Sequence, residues 1–147
     1  WASEYGISGF RFDLMGHHLT LDEVDVPLCA IACETDHIAP WKDSYRGVQK
    51  MGAKDKTFIM TQSGHIAGIV NPPSKGKYGH YTNDDTGLTH EDWLEGATFH
   101  EGSWWPRWGK WLEKRSGKMI PARIPGAEGR KIVSDAPGAY VAKKASH

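Results

Sequence analysis

The sequence predicts an α/β fold organised around two parallel strands, and three observations carry that expectation. Residues 26–33, "VPLCAIAC", form a continuous apolar run, the pattern of a strand covered by helices on both faces of a parallel sheet. A second short apolar run follows in "DKTFIMTQ", residues 55–62, with good strand character. Between them "APWKDSYRGVQKMG" reads as a helix, which gives the order strand, helix, strand. Asp36 follows the first strand and His65 follows the second. Sites in open α/β sheets gather at this carboxyl edge.

In chain order, residues 1–24 are a lead-in: "GFRFDLMG" has some strand character, and "GHHLTLDEVDVP" reads as a loop leading inward. The first strand, 26–33, is interrupted only by Pro27. Pro40 suits the first turn of the next helix, where its missing N–H does no harm. Tyr45 and Val48 share a face there, together with Met51 or Gly52, and Gly52 can end the helix. The strands 26–33 and 56–61 are expected to be parallel neighbours joined by a right-handed crossover.

Asn71, Pro72 and Pro73 close the segment after His65. "SKGKYGHYTNDDTGLTHED", residues 74–92, is polar and glycine-rich and reads as a loop. Residues 104–114 read as a helix, because Trp105, Trp108, Trp111 and Leu112 fall three or four apart. Ser103 is its N-cap candidate and Pro106 lies in its first turn. From about residue 117 the chain is rich in Gly, Pro, Lys and Ala and reads as extended and lightly packed. The expected organisation is one partial domain: lead-in 1–24, core 25–115 and carboxy-terminal tail 116–147.

The 147 residues suffice for one domain with a modest core. Eighteen basic residues balance eighteen acidic ones, so no nucleic-acid footprint is expected. No apolar run approaches the roughly 18 residues of a membrane span, so no transmembrane segment is expected. The chain starts at Trp1 rather than Met, and no charged start leads into an apolar stretch, which argues against a signal peptide and for a fragment or trimmed chain. On a strand, Cys29 and Cys33 point to one face roughly 13 Å apart at about 3.3 Å per residue. A disulfide tolerates only about 7 Å between Cα atoms. They read as buried thiols packing as small apolar groups, and a reducing compartment fits.

An Asp after one strand and a His after the next match the acid and base of a nucleophile–His–acid triad in the α/β-hydrolase chain order. A histidine can take a proton from a thiol or hydroxyl near neutral pH, and a buried carboxylate holds the imidazole in the required tautomer. The nucleophile is missing from this pattern, since no Gly-x-(Ser/Cys)-x-Gly elbow occurs. Ser63 lies beside the histidine, and Cys29 and Cys33 lie inside a strand. Metal binding is the rival use of eight histidines, with His17 and His18 adjacent. No His-Glu-x-x-His or Cys-x-x-Cys occurs, and His90-Glu91 and His100-Glu101 each lack a second histidine, so scattered loop histidines and no metal are expected. The Trp cluster at 104–111 could stack on a ligand, but helical spacing favours packing. Lys75 and Lys77 could meet a phosphorylated ligand, but a solvated loop is the plainer reading.

Five strings, "DVPLCAIACETDHIAPW", "SGHIAGIVNPP", "YTND", "HEGSWWPRWGKWL" and "DAPGAYV", together resemble the carboxy-terminal part of the long single-subunit poly(3-hydroxyalkanoate) synthases. The resemblance runs in order from about residue 24 to residue 143. It implies the carboxy-terminal portion of an α/β-hydrolase-like fold: the last parallel strands with flanking helices, a Trp-rich helix and an extended tail. It implies acyl transfer from (R)-3-hydroxyacyl-coenzyme A to a growing polyester with release of coenzyme A and no cofactor. The implied partners are that substrate, the polyester chain and granule surface, and a second copy in a homodimer, all in the cytoplasm.

In this likeness Asp36 matches the family's catalytic aspartate and His65 its catalytic histidine. His37 matches a second histidine near the site, with a structural role equally open, and Trp41 matches a tryptophan that packs in the same loop. The family nucleophile is a cysteine in a Gly-x-Cys-x-Gly elbow, which this chain lacks, so the chain alone is expected to be inactive. Asp36 either orients His65 or engages the incoming 3-hydroxyl. Two rival readings remain: a fragment of an α/β-fold hydrolase with a serine elbow upstream, and a non-catalytic granule-binding or interaction module built on the Trp-rich segment.

Overall fold

The computed structural model describes residues 20–124, 126, 129 and 131–144. The strand character of "GFRFDLMG", the start of the lead-in loop and the His17–His18 pair lie outside the described residues. Two units divide the chain, Trp1–Ser116 and Gly117–His147.

In the first unit, β1 (Leu28–Cys33) and β2 (Lys56–Thr61) pair in parallel, with Leu28 beside Lys56 and Cys33 beside Thr61. Helix α1 (Trp41–Lys50) connects them, so the expected strand–helix–strand unit is present. β1 starts at Leu28 rather than at residue 26, since Pro27 has no N–H for a ladder. The Leu28 N–H makes the first bond, to Asp55 O at 2.9 Å. β1 is also less covered than its apolar sequence implies. It lies at the edge of the described sheet, and only Ala32 and Cys33 are buried.

The sheet is mixed rather than parallel throughout. β3 (His80–Thr82) pairs antiparallel with β2, and β4 (Thr98–His100) pairs antiparallel with β3. Between them stands α2 (His90–Glu95). The stretch 74–92, expected to be a loop, therefore contains a strand and the start of a helix. Three-residue strands are too short to display alternation. Their pairing is started by the Gln62 side chain, which accepts from Gly79 N at 2.9 Å while Gln62 N donates to Gly79 O at 2.9 Å. Gly79 is small because Phe99 crosses it: a Cβ there would lie 2.3 Å from the Phe99 ring. α2 is started by Thr89, whose hydroxyl accepts from Asp92 N at 3.2 Å and donates to Asp92 Oδ2 at 2.8 Å. This is a Thr N-cap whose hydroxyl is oriented by the Asp92 carboxylate.

Side chains alternate along β2. Phe58 and Met60 face α1 and α2 and join Trp41, Tyr45, Val48 and Trp93 in the core. Tyr45 and Trp93 meet Phe58 edge-on at 5.0 and 5.1 Å between ring centroids. Each such pair adds about 0.5–1.5 kcal/mol beyond area burial. The polar ends are satisfied: Tyr45 Oη donates to Leu88 O and Trp93 Nε1 to Asn83 O. Burial pushes the Tyr45 hydroxyl up to about 12. α1 ends at Lys50 without using Gly52. Gly52 instead lies against the Leu21–Glu23 turn, where a Cβ would sit 1.9 Å from Asp22 O.

The opposite sheet face carries Thr57 and Ile59. With His80, His100, Arg107 and Trp111 they line a cavity of about 630 Å³ beside α3 (Trp105–Glu113). α3 begins one residue later than the expected helix. Trp104 holds the cap position, and Ser103 Oγ accepts from Trp105 N at 3.1 Å. In the second unit, the described residues form no helix or strand, and Met119, Val133 and Tyr140 are almost fully exposed.

Candidate acid–base site

The site grows from the carboxyl ends of β1 and β2. Parallel pairing carries on beyond both strands: Glu34 N donates to Thr61 O at 2.8 Å and Thr35 N to Ser63 O at 3.2 Å. Ser63 adopts φ 74°, the left-handed region that turns the chain sharply. These contacts bring the segment after Cys33 and the segment after Thr61 to one edge.

Asp36 completes a tight local turn. Its Oδ1 accepts from Ile38 N at 2.8 Å and Ala39 N at 2.9 Å. Its Oδ2 faces His65 Nδ1 at 2.7 Å. The Asp36 side chain is only 6% exposed, whereas that of His65 is 44% exposed. Desolvation alone would raise the Asp36 carboxyl. Hydrogen bonds from Ala39 N–H, His65 and Ile38 N–H outweigh it and hold the carboxyl below its ordinary value. An ionised carboxylate only accepts, so Nδ1 carries the proton. Nε2 then presents a lone pair, and it has no hydrogen-bond partner among the described residues. With a carboxylate on Nδ1, an imidazole can take a proton at Nε2, and the carboxylate stabilises the imidazolium that results.

The structure thus brings Asp36 and His65 together at hydrogen-bond length. It does not bring His37 into their contact: His37 is exposed and makes no hydrogen bond among the described residues. Trp41 starts α1, is buried, and lies 5.9 Å from the His90 ring and 6.4 Å from the Trp93 ring. Cys29 and Cys33 are free thiols, both pushed up to about 11, chiefly by burial. Thiols so raised are protonated near neutral pH, when only the thiolate is a nucleophile.

Two histidines expected on loops are strand residues. His80 on β3 and His100 on β4 stack at 5.0 Å between ring centroids. His80 Nδ1 donates to Gly102 O at 3.0 Å, and Arg107 Nη2 donates to His100 Nε2 at 3.1 Å. That Nε2 lone pair, which also faces the Thr82 hydroxyl at 2.9 Å, is therefore engaged and not open as a metal donor. Desolvation is the main cause that holds both rings below the ordinary histidine value, with Arg107 adding to it. Lys75 Nζ donates to Val70 O at 3.2 Å, and Lys77 lies 5.2 Å over the Tyr78 ring. Both lysines turn to the protein.

The Trp cluster divides. Trp104 is 6% exposed, whereas Trp105 and Trp108 are 37% and 38% exposed, so packing accounts for the first and not fully for the others. Trp104 Nε1 donates to Gly68 O at 2.9 Å and Trp105 Nε1 to Ile69 O at 3.0 Å, both in the loop after His65. Helical spacing carries no signal for these loop contacts.

No family model matches the chain. Curated relatives do. The chain is 41% identical over 131 residues, 89% of its length, to the poly(3-hydroxyalkanoate) polymerase subunit PhaC of Rhizobium etli. It is 45% identical over 128 residues, 86% of its length, to the poly(3-hydroxyalkanoate) polymerase of Methylorubrum extorquens. It is 39% identical over 137 residues, 92% of its length, to the polymerase subunit PhaC of Cupriavidus necator. The matches cover 20%, 21% and 23% of these relatives, so the chain spans about a fifth of their length.

Proposed function

We infer that this chain, which belongs to the poly(3-hydroxyalkanoate) synthase family and matches a carboxy-terminal portion of its members, carries the base and acid of acyl transfer in such an enzyme. One observation carries the reading: the buried Asp36 carboxylate holds His65 Nδ1 at 2.7 Å and leaves Nε2 free.

The nucleophile in this reading is a cysteine that the synthase supplies from outside this segment. His65 Nε2 takes the thiol proton, and the thiolate adds to the carbonyl of an (R)-3-hydroxyacyl-coenzyme A thioester. The carbon–sulfur bond to coenzyme A breaks. The imidazolium, stabilised by Asp36, returns the proton to the departing sulfur. A 3-hydroxyl then gives its proton to His65 and attacks the acyl-cysteine. An ester bond forms, the bond to cysteine sulfur breaks, and the thiol is restored. The thioester is the substrate and no further cofactor enters. The growing polyester, its granule surface in the cytoplasm and a second copy of the enzyme are the partners of this reading.

Asp36 orients His65 in this account, because its second oxygen is already occupied by two backbone N–H groups. The 147 residues alone should not turn over, since their two thiols, one half-buried and one buried, are protonated near neutral pH and lie outside any glycine elbow. The test is His65→Ala in a synthase that carries this segment. Polymer formation should fall by a factor of about 10²–10⁴, the usual contribution of a general base. Near-normal polymer yield from that variant would overturn the reading.

Half-exposed Trp105 and Trp108 favour a second role for α3, adsorption to the polyester surface. Retention of the isolated chain on washed granules, lost in a Trp105→Ala, Trp108→Ala double variant, is the corresponding measurement.

A further inference from the structure

We propose that Ser103, Trp104 and Trp105 are positioning residues for His65, acting as a clamp on the backbone that follows it; the kinetic consequence rests on the acyl-transfer reading above. Three consecutive residues send three donors to one loop. Ser103 Oγ donates to Asn71 O. Trp104 Nε1 donates to Gly68 O at 2.9 Å, and Trp105 Nε1 donates to Ile69 O at 3.0 Å. Lys75 Nζ takes Val70 O. Every carbonyl from 68 to 71 is thereby engaged by a side chain, in a stretch without helix or strand.

The geometry connects that clamp to the imidazole. A single turn brackets His65, closed by Gly68 N donating to Gly64 O at 2.9 Å. The residue that closes the turn is the residue Trp104 grips. Gly68 is pinned from its other side as well. A Cβ there would lie 2.8 Å from both Cys33 Sγ and Gln62 O, and Thr61 Oγ1 donates to Gly68 O at 3.3 Å. His65 needs such external support, because its side chain is 44% exposed and its one described hydrogen bond is to Asp36. Indole N–H groups suit this role, since each is a donor only, on a rigid ring with few rotamers. A half-exposed base stays at 2.7 Å from its acid because the loop beneath it is held at four successive carbonyls.

Phenylalanine keeps a ring and removes the N–H, so Trp104→Phe and Trp105→Phe separate the clamp from simple packing. In the 147-residue chain, the His65 Nδ1 proton is followed by NMR through its downfield resonance and its exchange with solvent. Exchange should quicken about tenfold in Trp104→Phe, the scale of one lost hydrogen bond, and in the same direction in Trp105→Phe. If Trp104→Phe fails to fold, the more exposed Trp105→Phe decides. In a synthase carrying the segment, kcat should fall about tenfold with KM unchanged, the pattern of a displaced catalytic group. Unchanged Nδ1 proton exchange in the folded variants overturns the clamp, even where stability drops. Retained activity in His65→Ala would instead overturn the acyl-transfer reading and leave the exchange result standing.

Discussion

Asp36 divides its carboxylate between two duties: Oδ2 meets His65 Nδ1 at 2.7 Å, and Oδ1 is held by the Ile38 and Ala39 backbone N–H groups. Asp36 is thus fixed by its own loop as well as by its contact with His65. That arrangement makes Asp36 a rigid reference for the histidine.

Asp36→Asn should lower the first acylation step as well as elongation. An amide can keep the two backbone contacts through its oxygen, but it then turns an N–H toward Nδ1 and favours the wrong imidazole tautomer. Single-turnover release of coenzyme A from a synthase carrying the variant should slow by a factor of about 10²–10⁴. A normal first release with slow elongation would assign Asp36 to the incoming hydroxyl instead.

Stability should fall in two steps on acidification. His80 and His100 are held below the ordinary value, chiefly by burial, with Arg107 opposing their protonation. The unfolded chain therefore binds more protons as pH drops through about 6.5, and stability drops with it. The depressed Asp36 carboxyl contributes stability that is full above its unfolded value of about 3.9 and is lost as pH falls through its folded value. Urea midpoints measured from pH 7.5 to 3 check both steps. The lower step should shrink in Asp36→Ala, and a flat profile between pH 7.5 and 5 would contradict the first.

Both cysteines should react slowly with iodoacetamide in the folded chain. Their thiols are pushed up to about 11, so alkylation should climb steadily from pH 7.5 to 10 as the thiolate fraction grows. Mass spectrometry of the intact chain reads the labelling. Rapid labelling of Cys33 at pH 7.5 would argue for an activated thiol.

Gly68→Ala should damage the site more than the fold. The added methyl meets Cys33 Sγ and Gln62 O at 2.8 Å, and relief requires moving the turn that carries His65. On the acyl-transfer reading, polymer synthesis by a synthase that carries the variant segment should fall at least about tenfold, on the scale of a misplaced catalytic group. Trp93→Ala is the opposite case. It removes a fully buried ring from the core and should cost about 3–5 kcal/mol of unfolding free energy.

The meeting of Asp36 and His65 was legible because its determinants are local. Two apolar runs mark β1 and β2, and a parallel pair places the segments beyond both strands on one edge. β3 and β4 were not legible, since three residues show no periodicity and their pairing depends on a contact between Gln62 and Gly79, 17 residues apart in the chain. The start of α2 was readable in principle from Thr89 and Asp92. The partners of Trp104 and Trp105 were not, because Gly68 and Ile69 lie 36 residues away in a loop with no spacing of its own. His80 and His100 looked dispersed for the same reason. Only the antiparallel register puts their rings in contact.

The backbone bonds that run on past β1 and β2, from Glu34 to Thr61 and from Thr35 to Ser63, make the sheet a ruler. Spacing between acid and base is counted in pleats from a shared register, not along the chain that joins them. The loop between α1 and β2 is therefore replaceable in a way that the strand ends, and the core-forming α1, are not. A cut at exposed Lys54 would leave two pieces that the same ladder can bring back into alignment. One residue added between Cys33 and Asp36, or between Thr61 and His65, would lengthen a turn that the shared register does not absorb and carry that partner away from the 2.7 Å contact. Engineered splitting or reconnection of this protein belongs in the loop between α1 and β2, and the two short segments beyond the strands must keep their length.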